Sequence, residues 1–121
     1  MRSLVIGASL NPARVSHLAI HRLVAAGENV IAYGLRPGVV AGVPLLTDRE
    51  EVPSEGIHTI TLYVGPARQP NLMDWIISLK PVRVIFNPGT ENPAFEARLL
   101  TEGIQAVRAC TLVMLSVGAY Q

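Results

Sequence analysis

Two kinds of apolar pattern alternate along the chain. Short runs rich in Val, Ile and Leu carry little charge and read as strands covered on both faces. Between them, apolar residues recur every three or four positions, as on a helix with one buried stripe. The first strand spans about Ser3 to Gly7 and the second Asn29 to Tyr33. Thr59 to Val64, Arg83 to Phe86 and Gln105 to Arg108 read as the third, fourth and fifth. The first helix is expected from about His17 to Ala26, with Ala19, Ile20, Leu23 and Val24 inward. Ser16 is its expected N-cap, Val15 and Ile20 are spaced as a hydrophobic staple, and Gly27 closes it.

Further along, Pro44 to Leu46 reads as a short extended piece. Thr47 followed by Glu50 looks like the capping box of a brief helical turn. Pro70 to Leu79 is expected to be helical, with Leu72, Met73, Ile76 and Ile77 inward and Pro81 as the stop. The next helix has Asn92 as cap and Pro93 at its first position, and it ends at Gly103. A last short helix begins at Thr111. Strands separated by helices imply an α/β fold: one doubly wound parallel sheet with helices on both faces. Right-handed crossovers suggest the strand order 3-2-1-4-5, with a switch point between the first and fourth strands.

Length and charge narrow the picture. A chain of 121 residues, half of them apolar, suits one domain over residues 1–121. A net charge of +1 makes nucleic acid and acidic membrane surfaces poor partners. One cysteine leaves no internal disulfide, and a cytoplasmic location is expected. No apolar run approaches the ~20 residues of a membrane helix.

The candidate chemistry begins where the first strand ends. Gly7, Ala8 and Ser9 form a small-residue turn, and Asn11, Pro12, Arg14 and Ser16 lead into the helix. Free N–H groups at a helix start favour phosphate. A NAD site of this kind would carry three glycines and an acidic residue about 20 residues on. Here the second strand ends in Gly34-Leu35-Arg36-Pro37-Gly38, with an arginine in place of the acid. Arginine suits a phosphate on the ribose, so coenzyme A and NADP both qualify as ligands. The loops Gly65 to Arg68 and Asn87 to Asn92 join the first two at the same sheet edge, and all four contain Gly and Pro.

The stretch Gly-Ala-Ser-x-Asn-Pro-x-Arg-x-Ser from Gly7 to Ser16 carries a resemblance. With Gly42-Val43-Pro44-Leu45, Val52-Pro53, Asn87 to Asn92 and Ala109 to Leu115, it resembles the stand-alone coenzyme A-binding domain family. That family shares its Rossmann-like module with the α subunit of succinyl-CoA synthetase. The resemblance implies a small coenzyme A- or acyl-CoA-binding protein. Arg14 would hold pyrophosphate with the Gly7–Ser9 backbone. Arg36 would face the ribose phosphate or the adenine. Val64, Gly65 and Pro66, with Asn87, Pro88 and Gly89, would line the cleft. The chain departs from the family pattern at His58, where an Asp is usual, and at Val64-Gly65-Pro66, where a Phe/Tyr-Arg pair is usual. The synthetases' phosphorylated histidine segment is missing.

Other candidates are thinner. His17 and His21 share a helix face and read as solvated. Trp75 reads as packing, and Asp48, Glu50 and Glu51 as a solvated turn. A nucleophile elbow needs a glycine on each side of its serine, and two residues after Ser9 stands Asn11. Cys110 falls at the same sheet edge as the loops, either within reach of the coenzyme's thiol or as a small core residue. No acid–base pair can be assembled. A binding module is therefore expected, with an NADP-dependent oxidoreductase or a subunit delivering coenzyme A to a protein partner as alternatives.

Overall fold

The computed structural model describes residues 1–121. In chain order the strands and helices are β1 (Arg2–Ala8), α1 (Val15–Ala25), β2 (Asn29–Gly34), β3 (Gly38–Val40), β4 (Val43–Leu46) and β5 (Thr59–Leu62). Then follow α2 (Pro70–Ser78), β6 (Arg83–Phe86), α3 (Pro93–Thr101), β7 (Gln105–Arg108) and α4 (Thr111–Ser116). Single 3-10 turns lie at Arg49–Glu51 and Pro66–Arg68.

The strands form one seven-stranded sheet in the order β3-β4-β2-β1-β5-β6-β7. Every pairing is parallel except the β3–β4 hairpin. Leu72 and Ile76 of α2 and Phe95 and Leu99 of α3 cover one face. Ile20 and Leu23 of α1, with Met114 and Leu115 of α4, cover the other. The class is thus α/β, a Rossmann-like doubly wound sheet.

The strand order differs from the expected one. The Thr59 strand does not lie outside the Asn29 strand. As β5 it pairs directly with β1, from Ser3↔Thr59 to Ile6↔Leu62. The place beside β2 belongs to β4, the piece from Pro44 to Leu46 that read only as an extension. Proline disfavours a strand interior because it lacks an N–H. Pro44 stands opposite Val39 of the hairpin, and only Leu45 and Leu46 register with β2. The missing donor therefore falls outside the β2 ladder. From β4 the chain returns across the sheet through a strap, residues 47–58, pinned by the buried Val52 and Ile57. The strand direction of travel reverses between β1 and β5, so the switch point lies there and not between the Ser3 and Arg83 strands.

Local corrections follow the same logic. Helix α1 starts earlier than expected: Arg14 occupies the cap position without a side-chain bond, and Ser16 is a buried residue inside the helix. Val15 is 54% exposed, which leaves no staple. Val24 is exposed, not inward. At the strap, Asp48 rather than Thr47 caps the turn, accepting from the Glu50 N–H at 2.9 Å. Helix α4 begins at Thr111 as expected, with Cys110 at its cap position and Thr111 buried. The expected caps hold at α3. Asn92 Oδ1 accepts from the Phe95 N–H, and Glu96 Oε2 accepts from the Asn92 N–H. At the end of α1, Gly27 takes φ +81°, and the N–H groups of Gly27 and Glu28 reach back to Val24 and Leu23. That is a Schellman closure.

Candidate functional site

The site grows from the end of β1. Gly7 has φ +92°, and a Cβ built there would lie 2.9 Å from the Tyr63 carbonyl oxygen. Backbone conformation and space both require glycine. Gly34 meets Ala8 across the β1–β2 ladder, and a Cβ there would strike the Ala8 carbonyl. The two strand ends are therefore brought together without intervening side chains.

The loop beyond Gly7 is tied to itself. Ser9 Oγ accepts from the Asn11 N–H at 3.1 Å, and Asn11 Oδ1 accepts from the Ala13 N–H at 3.0 Å. These local bonds are the usual work of Ser and Asn in turns. His17 Nδ1 lies 3.0 Å from the Ser9 carbonyl oxygen, and its ring packs 5.1 Å from that of His21. His17 is thus a loop brace and not simply a solvated face. No group of three or more His, Cys, Asp or Glu residues is placed to hold a metal ion.

A cleft of about 1190 Å³ opens above the carboxyl ends of β1, β2 and β5. From the first loop it is lined by Gly7, Ala8, Ser9, Asn11, Arg14 and Ser16. Gly34 and Arg36 line it after β2, Val64 and Gly65 after β5, and Pro88 and Gly89 after β6. Three expected residues lie outside the lining: Pro12, Pro66 and Asn87. Asn87 is buried because its side chain is spent on the fold. Its Nδ2 donates to Thr61 Oγ1 and the Leu62 carbonyl, and its Oδ1 accepts from the Thr111 N–H. It joins β5, β6 and α4 below the cleft.

Arg14, Arg36, Arg49 and Arg68 all line the cleft, and no carboxylate does. None of the four forms an ion pair; the salt bridges join Arg98 to Asp74 and Arg108 to Glu96. Four unneutralised cations in one cavity contrast with the net charge of +1 for the whole chain. Arg49 lies outside the expected site, and Arg68 is expected there only as the end of the Gly65 loop. Arg49 becomes legible once Val43–Leu46 is counted as a strand, because it then follows a strand end as Arg36 does. Arg68 closes the Gly65 loop.

Two loops of the rim are fastened by one buried side chain. Gln69 is fully buried, and its Nε2 donates to the Val64 carbonyl at 2.9 Å and the Thr90 carbonyl at 2.7 Å. Its Oε1 accepts from Asn92 Nδ2 at 2.9 Å. Tyr63 also borders the cleft. Burial pushes its phenol above the ordinary value, with the neighbouring Thr61 and Thr111 hydroxyls pulling the other way more weakly. Those two hydroxyls bond each other at 2.8 Å, and the Tyr63 hydroxyl is left without a bond of good geometry. Cys110 is half-buried and lies outside the lining, so the structure does not bring it to the cleft.

Comparison with known proteins fits this geometry. A crystal structure of an uncharacterized protein is 43% identical, with a TM-score of 0.92 over 98% of this chain and 97% of that one. A Thermus thermophilus protein is 20% identical with a TM-score of 0.87, over 98% of this chain and 90% of that one. A hypothetical protein from Pyrococcus horikoshii OT3 is also 20% identical, with a TM-score of 0.84 over 95% and 81%. At that identity the last two speak for the fold alone. No curated protein is a significant match. The profile of the CoA binding domain matches residues 2–116, nearly the whole length, and the chain therefore belongs to the CoA binding domain family.

Proposed function

We propose that the cleft holds coenzyme A or an acyl-coenzyme A, and that residues 1–121 form one such binding unit. The observation that carries this is the set of four unpaired arginines in a cavity without a carboxylate. Coenzyme A carries a pyrophosphate and a ribose phosphate, so it matches such a cavity in charge. Charge-assisted bonds from guanidinium to phosphate are roughly twice as strong as neutral ones. The pyrophosphate would sit at the Gly7–Ser9 turn and the start of α1, with Arg14 beside it. The pantetheine arm would run past Val64, Gly65, Pro88 and Gly89.

The protein is proposed to act as a holder of the coenzyme in the cytoplasm, or to present it to a protein partner. In support, the titratable side chains at the cleft are four arginines and two tyrosines, Tyr33 and Tyr63. No helix is long and apolar enough to cross a membrane. NADP shares the two anionic groups, but the family match points to coenzyme A.

Calorimetric titration with coenzyme A, dephospho-coenzyme A and NADP tests the reading. Coenzyme A is expected to bind most tightly, with affinity falling as salt rises. Tighter binding of NADP, or no binding of coenzyme A at millimolar concentration, would replace this reading.

A further inference from the structure

The four cleft arginines separate into two pairs by the strands they follow. Arg14 follows β1 and Arg68 follows β5, so these two flank the switch point. Arg36 follows β2 and Arg49 follows β4, adjacent strands on the other side of β1. A ligand with two separated anionic groups fits this division.

Arg49 differs from the other three in being already held. Its Nη2 donates to the Asn71 carbonyl at 2.7 Å, and its Cζ stands 5.2 Å from the centre of the Trp75 ring. Trp75 in turn packs against Tyr33, with ring centres 4.8 Å apart. Arg49, Asn71 and Tyr33 face the cleft, and Trp75 stands behind them. A guanidinium has five N–H donors. Asn71 takes one, and the acids next to Arg49 in sequence form no ion pair with it. Asp48 is occupied by the Glu50 N–H. A guanidinium fixed in advance loses less freedom when it meets a phosphate.

We propose that Arg49, held against Trp75, reads the ribose phosphate of the ligand together with Arg36. It thereby sets a preference for coenzyme A over dephospho-coenzyme A, and Trp75 acts as its positioning residue. The inference rests on the coenzyme A reading above. The Arg14 and Arg68 pair is left to the pyrophosphate, which both ligands carry.

The test is calorimetry of both ligands against the wild type, Arg49→Gln, Arg49→Lys and Trp75→Leu at one ionic strength. Arg49→Gln should weaken coenzyme A by about tenfold or more and dephospho-coenzyme A by a much smaller factor. Arg49→Lys keeps the charge without the fork and should restore part of the preference. Trp75→Leu should reduce the preference by a smaller factor. Trp75 is the single tryptophan, so its emission in the wild type should change more with coenzyme A than with dephospho-coenzyme A. Equal losses for both ligands in Arg49→Gln, with equal emission changes in the wild type, would overturn the assignment and leave Arg49 a packing residue. Should the wild type bind neither ligand, the coenzyme A reading itself falls, which is a different result from an unselective Arg49.

Discussion

The Gln69 carboxamide donates to the Thr90 carbonyl at 2.7 Å, joining the turn before α2 to the loop after β6. The same nitrogen reaches Val64, and the oxygen takes a proton donor from Asn92. One buried side chain thus sets the spacing of two loops that border the cleft. Gln69→Leu leaves two carbonyls and one amide unpaired. Each buried polar group without a partner costs about 1–3 kcal/mol. We expect a melting temperature lowered by several degrees and weaker ligand binding, read by calorimetry. Gln69→Glu should be as damaging, because a carboxylate cannot donate. An unchanged melt in both variants would show the loops to be held elsewhere.

Gly7→Val should be harmful twice over. The +92° φ disfavours any side chain, and the Tyr63 carbonyl occupies the space a Cβ needs. Strain of this kind costs of order 1–3 kcal/mol. Binding is expected to be lost along with some stability. Gly65→Ala is the matching control, since a Cβ there meets nothing within 4 Å. It should melt like the wild type.

Arg14 and Arg68 make no side-chain bond within the protein, so their truncation should separate binding from folding. Exposed substitutions away from such contacts usually stay within about 0.5 kcal/mol. Arg14→Ala should therefore melt as the wild type does while coenzyme A affinity falls and its salt dependence flattens. A destabilised apo protein with intact binding would make Arg14 structural.

The bidentate pair of Arg108 and Glu96, at 2.8 and 3.0 Å, lowers the Glu96 carboxyl below its ordinary value of 4.5, chiefly through that hydrogen bond. A carboxylate lowered in the folded state stabilises above the unfolded value and loses that contribution as pH falls through the folded one. The melting temperature of the wild type should exceed that of Glu96→Gln at neutral pH. The gap should close progressively below about pH 4.5. A gap constant from pH 7 to pH 3, followed by circular dichroism, would contradict this.

Much of the fold was readable because period and punctuation agreed. Asn92-Pro93 announced α3, Gly27 announced the end of α1, and the Val- and Ile-rich runs announced the parallel strands. Strand order is not legible in the sequence, because the short extended piece at Pro44 to Leu46 carries no sign that it pairs with β2, and Pro44 itself faces only the hairpin partner. The same short strand hides Arg49, whose importance depends on which strand it follows. Most expected cleft residues were recognisable because they sit in Gly- and Pro-rich loops at one edge. Asn87 was misplaced for a different reason. Its neighbours in sequence line the cavity, but side-chain direction depends on Thr61 and Thr111, which are distant along the chain. Ser16 looked like a cap by residue type, while the turn built on Ser9 and Asn11 starts the helix sooner.

The strap from β4 to β5 gives the molecule a natural seam. Ser54, Glu55 and Gly56 are exposed there, between the buried Val52 and Ile57. On one side lie β1 to β4 and α1; on the other lie β5 to β7 and the remaining helices. The two pieces share the β1–β5 ladder and a common core. Limited proteolysis is favoured at exposed loops. A single nick in the strap should yield two fragments that stay associated without a covalent link, so that the fold becomes a case of fragment complementation across the β1–β5 ladder and the shared core.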